Sequence, residues 1–167
     1  MKLFVDDVRD PSFSNTWYLE FHKKYQDLFV LQENGNPVRG IEVGSGWAKP
    51  VERFLDRLEW MTKNYKNEDK SPFQVKVFWI KEKFGRVRSN GIEISDESYR
   101  QFINEAEGYL EADCDMHCEK CGALKEPGTI TLGWTYGWCD DCSKEKFKEI
   151  REEIEEECVE LVQNGPL

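Results

Sequence analysis

Four cysteines stand in two Cys-x-x-Cys pairs, Cys118 with Cys121 and Cys139 with Cys142, separated by seventeen residues. Each pair makes a tight knuckle that aims two sulfurs at one ion, and zinc accepts four thiolates tetrahedrally at ~2.3 Å. Gly122 follows the first knuckle, where the backbone must turn sharply. The spacing predicts one structural Zn2+ per chain. Four protein ligands leave no open position, so such an ion would hold structure and not activate water. Cys114 and His117 are near enough in sequence to replace a ligand, and two disulfides are the alternative in an oxidising compartment.

A second group is charged. Residues 76–88 read Lys-Val-Phe-Trp-Ile-Lys-Glu-Lys-Phe-Gly-Arg-Val-Arg, five cations with one acid. This segment carries +4 in a chain of net charge -10, so the remainder carries -14. A tight turn at Gly85 would bring Lys81 and Lys83 beside Arg86 and Arg88. Arginine offers a planar fork to phosphate or carboxylate, and lysine adds a point charge. Trp79 and Phe84 could supply ring contacts. The expectation is an anion site formed by Lys81, Lys83, Phe84, Arg86, Arg88 and Trp79. The plainer alternative is that these cations neutralise neighbouring acids.

The composition narrows the function classes. Thirty-three Asp and Glu stand against 23 Lys and Arg, which argues against broad binding to a nucleic-acid backbone. No apolar run approaches the ~20 residues needed to cross a bilayer. The opening Met1–Val5 turns acidic at Asp6 and Asp7, unlike a secretion signal. These features give a cytoplasmic reading with reduced thiols.

The elements that must position these groups follow from periodicity. A short strand is expected at 2–5, a helix on Trp17, Phe21 and Tyr25, and a strand at Leu28–Leu31 ending in a Gly35 turn. Pro50 opens a helix with Val51, Phe54, Leu55, Leu58 and Met61 on one face. Residues 72–94 read as two or three antiparallel strands, with Val75, Val77 and Trp79 on one face and turns at Gly85 and Asn90-Gly91. Ser95 is expected to cap a helix whose apolar face is Tyr99, Phe102, Ile103, Ala106 and Leu110. A hairpin at 129–138 would carry Trp134, Tyr136 and Trp138 on one side, as cover for the metal or as a stacking platform. A last helix from about Ser143 would turn Phe147, Ile150, Ile154, Cys158 and Leu161 inward. The fold class is therefore α+β, an antiparallel sheet or hairpin covered by helices. A four-cysteine zinc ribbon precedes a C-terminal helix. The units are 1–113, 114–143 and 144–167.

The run Lys81-Glu82-Lys83-Phe84-Gly85-x-Val87-Arg88, joined to Cys118-x-x-Cys121-Gly122 and Cys139-x-x-Cys142, resembles a set of uncharacterised tailed-bacteriophage proteins. Gly46-Trp47-Ala48-Lys49-Pro50 is similar to the helix start of that pattern, and the likeness spans about 44–143. Arg86 stands where that set often has a glycine. The resemblance implies a phage accessory protein acting in the bacterial cytoplasm and supplies no activity. Leu3-Phe4-Val5-Asp6-Asp7 also looks like the first strand of receiver-like domains, but the repeating βα pattern is missing, so no phosphoacceptor is carried over.

The residues favour a binding module over an enzyme. His22 and His117 are the only histidines and lie far apart, and no Gly-rich phosphate loop or serine elbow is present. The first reading is a zinc-stabilised protein that binds an anionic small molecule, a nucleotide, without turnover. The alternatives are an acidic inhibitor of a host protein, using a face such as Glu152–Glu157, and a metal-independent phosphodiesterase.

Overall fold

The computed structural model describes residues 17–125, 137–148 and 151–152. The expected strand at 2–5, most of the 129–138 hairpin, Ile150, Ile154, Cys158 and Leu161 lie outside the described residues, as does most of the Glu152–Glu157 face. The fold is α+β, with a three-stranded sheet beside helices.

Helix α1, Trp17–Lys24, carries Trp17 and Phe21 with rings 5.2 Å apart, and Tyr25 follows at the same spacing. The Tyr25 hydroxyl donates to the Asp56 carboxylate, and Lys24 pairs with Glu52 at 2.9 Å, fastening α1 to the next helix. The expected strand at Leu28–Leu31 is instead a 3-10 turn, Gln26–Leu28, followed by a parallel bridge of Phe29 to Val77. Gly35 takes φ +80° in the turn beyond.

Strand β1, Ile41–Glu42, runs parallel to β2, Val75–Lys83, with Ile41 opposite Ile80. Helix α2, Ala48–Asn64, is the crossover that parallel neighbours require. The sheet is thus mixed, and only its hairpin is antiparallel. Pro50 is the third residue of α2, where no backbone N–H is needed. Val51, Phe54, Leu55, Leu58 and Met61 are all buried.

Strands β2 and β3, Arg86–Ile94, pair antiparallel with Val75 opposite Ile94 and Lys83 opposite Arg86. Residues 72–94 therefore make one hairpin with one turn, at Phe84-Gly85. Asn90-Gly91 lies inside β3, with Gly91 at φ +68°. There the inward phase moves by one residue in both strands. Val75 and Val77 are buried on one side of this level, Ile80 and Val87 on the other. Because both strands shift together, the register is kept. Trp79 is consequently only half-buried, and Ile80 takes the core position expected for it.

Helix α3, Arg100–Met116, buries Ile103, Ala106, Leu110 and Cys114 and packs along α2. Phe102 points outward, 44% exposed, contrary to the expected face. Tyr99 sits in the preceding 3-10 turn, Glu97–Tyr99, stacked on Tyr65 at 4.7 Å. The cap there is Asp96, which accepts from Ser98 N at 3.0 Å. Ser95 instead bonds Gln74 and Asn67, both at 2.8 Å, tying the hairpin base to the α2–β2 loop. A helix over 140–148, α4, begins directly after Cys139 and includes Cys142.

Candidate functional site

The chain after α3 folds back at once. Lys125 N donates to Met116 O at 2.9 Å, and Cys118 N to Ala123 O at 2.8 Å. Gly122 takes φ +75°, which closes the first knuckle. The second knuckle starts just before α4, so Cys142 lies in that helix's first turn. These two turns bring the sulfurs of Cys118, Cys121, Cys139 and Cys142 within 4.8 Å of one another. Cys121 and Cys139 are 3.8 Å apart, the edge of a tetrahedron whose centre-to-sulfur distance is ~2.3 Å. The four cysteines could hold a metal ion.

Burial pushes the Cys118 thiol up, but backbone N–H groups of Cys121, Cys139 and Lys120 outweigh it and bring it down to about 7. Burial raises Cys121, and burial with neighbouring thiols raises Cys142. Four such sulfurs cannot all ionise without a cation between them. Cys114 is buried in the main core, its thiol pushed up by burial. His117 Nδ1 lies 2.7 Å from Asp113 O. Neither joins the cluster.

The cysteine module is docked on the segment before α2. Gly46 N donates to Glu119 O at 2.8 Å, Gly44 N to Glu119 Oε1 at 3.0 Å, and Trp47 Nε1 to His117 O at 2.8 Å. A Cβ on Gly46 would lie 2.1 Å from Cys118 O. A Cβ on Gly137 would meet the Trp47 ring at 2.5 Å and Gly85 O at 3.1 Å. The second knuckle therefore abuts both Trp47 and the turn of the hairpin. Glu119 is 5% exposed. Burial drives its carboxyl up to about 7, against the Gly44 N–H, and Glu82 and Cys118 push the same way. Sequence reading missed this docking. Its one signal was the Gly44-x-Gly46-Trp47 run, where two glycines precede a large ring.

The hairpin places its cations with more order than the sequence implied. The pairs are Lys81 with Arg88 and Lys83 with Arg86. Strand alternation puts all four on one face, in two rungs of like charge. Like charges directly opposite destabilise a sheet. The inner rung is compensated, because Arg88 Nη1 pairs with Glu111 at 2.7 Å and Lys81 Nζ sits 3.6 Å from the Trp79 ring centroid. Glu42 stands opposite Lys81 in the parallel register. The outer rung is exposed. Among the described residues, no carboxylate pairs with Lys81, Lys83 or Arg86.

Phe84 is 69% exposed at φ +55°, and Gly85 follows at +76°, so the turn is type I′. Glu82 points to the other face, where its carboxylate accepts from Gly85 N at 2.5 Å. Trp79 already carries two cations on its ring: Lys81, and Arg39 at 4.8 Å. Phe84 offers the more exposed ring, with one cation, Lys83 Nζ, 5.4 Å from its centroid, and Arg39 is a cation the sequence reading did not include. No protein-family model, no curated protein and no solved structure matches the chain. No described helix is long and apolar enough to cross a membrane.

Proposed function

We propose that the protein binds a phosphate-bearing small molecule, a nucleotide, on the basic face of the β2–β3 hairpin, and does not turn it over. One observation carries this reading: two like-charged rungs share one face, and only Arg88 of the four cations has a carboxylate partner among the described residues. A phosphate would relieve the outer rung, with charge-assisted hydrogen bonds from Lys83 and Arg86. The exposed Phe84 ring supports stacking of an attached base. The four-cysteine cluster holds a structural zinc ion, and that ion fixes the platform against which the hairpin turn rests. In a phage accessory protein this arrangement would sequester a nucleotide signal of the host.

Calorimetry with a panel of nucleotides tests the reading. One nucleotide class should bind stoichiometrically, and chromatography should recover it unchanged. Arg86→Glu should abolish the heat while circular dichroism and metal content stay at wild-type values. If no nucleotide binds, or if the charge reversal only unfolds the protein, the hairpin is scaffold. Native mass spectrometry should give one zinc per chain, lost in Cys118→Ser. A metal-free chain with two disulfides would refute the zinc assignment.

A further inference from the structure

We infer that the hairpin carries a second anion seat, formed by Arg39 and Lys81 over Trp79, so that the ligand is a short single-stranded oligonucleotide and not a mononucleotide. This rests on the binding reading given above. Arg39 precedes β1, and its guanidinium lies 4.8 Å from the Trp79 ring centroid, with Lys81 Nζ at 3.6 Å. The two cations are therefore no more than about 8.4 Å apart, the sum of those distances. Neither has an ion pair among the described residues, and Arg39 is exposed. The indole ring attracts each of them, and Glu42 stands opposite Lys81 in the strand register; neither contact is an ion pair, so an anion beside the two cations would relieve the repulsion that remains.

Lys81 leans back toward Trp79, away from the turn, so it belongs to this seat and not to the outer rung. The outer rung, Lys83 with Arg86, lies four strand residues from Trp79, about 13 Å along β2. Two phosphates sharing a bridging oxygen, as in a nucleoside diphosphate, are too close to occupy both. Phosphates separated by sugars can occupy both, and Phe84 at the tip then meets a terminal base. The acidic remainder of the chain disfavours a long duplex, because a duplex would bring many uncompensated phosphates near those acids. A chain of two or three nucleotides needs only the local cations.

The test titrates wild type, Arg39→Gln and Arg86→Gln with AMP, pApA and pApApA by calorimetry at several salt concentrations. Wild type should bind pApApA at least about tenfold more tightly than AMP, the gain expected of one added charge-assisted contact. Its dependence on salt should also be steeper, by roughly one more phosphate neutralised. Arg39→Gln should erase the length preference and the added salt slope. Arg86→Gln should weaken all three ligands. Equal wild-type affinity for AMP and pApApA, or an unchanged length preference in Arg39→Gln, overturns the second seat and leaves the first standing. If none of the three ligands binds, and no other nucleotide does, the hairpin reading falls and takes this inference with it.

Discussion

Phe84 sits at φ +55°, a region that costs a side chain with a Cβ about 1–2 kcal/mol and that asparagine tolerates. It is also the first central position of a type I′ turn, where Asn-Gly is the favoured pair. Phe84→Asn should therefore stabilise the protein by about 1 kcal/mol in urea unfolding. Nucleotide affinity should fall in the same variant, since the ring is lost. A drop in stability would mean the ring packs within the fold. Glu119 offers a pH prediction. Its folded carboxyl is raised to about 7, above the ~4.3 of an unfolded glutamate. The folded state then holds the proton longer, so stability drains as pH climbs from about 4 to about 7. Glu119→Gln should gain about 1–3 kcal/mol over wild type at pH 8 and little at pH 5. Urea unfolding of the metal-loaded protein at both values checks it, and an equal effect at both pH values contradicts it.

At the scale of elements, the hairpin's phase shift depends on Gly91. With φ +68°, and Phe78 Cβ only 3.1 Å from where a Cβ would stand, Gly91→Ala should cost about 1–2 kcal/mol. Gly108, in the middle of α3 with nothing within 4 Å, is the control. Gly108→Ala should stabilise by about 0.5–1 kcal/mol through helix propensity. The opposite signs, read from unfolding midpoints, separate backbone strain from simple glycine entropy. The pairing of α2 with α3 was legible in sequence because their apolar residues recur at 3.6. Phe102 was misassigned because an aromatic beside that stripe reads the same in or out. Across the seam it lies in a ring cluster with Tyr65, at 5.9 Å, while Arg57 covers Tyr109.

The molecule as a whole has two unequal cores. The main one joins α2, α3 and the hairpin through Trp47, Leu55, Leu58, Val77, Ile80 and Ile103 among others. The cysteine module has three buried apolar side chains of its own among the described residues, Cys118, Trp138 and Cys142. Such a small cluster cannot stand alone, and a bound metal contributes ~10 kcal/mol or more to modules of this kind. Chelation should therefore melt the module and leave the main core folded. Hydrogen exchange should show protection lost at 117–125 and 137–142, weakened at 44–47 and 84–86, and kept at 51–61 and 103–110. Loss of protection throughout would show that the main core also depends on the metal.

The sequence by itself determined the four-cysteine cluster, because two Cys-x-x-Cys pairs make two knuckles whatever surrounds them. It determined the helices at α2 and α3 and the turn at Phe84-Gly85, since apolar period and positive φ are local properties. It also located the cations of the hairpin. Only the tertiary structure decided which of them have partners, because Glu111 and Arg39 reach the hairpin from distant parts of the chain. The parallel placing of β1 and the lodging of Gly46 and Trp47 in the first knuckle were likewise decided there. Such contacts join residues more than twenty positions apart, and no local pattern of side chains encodes that proximity.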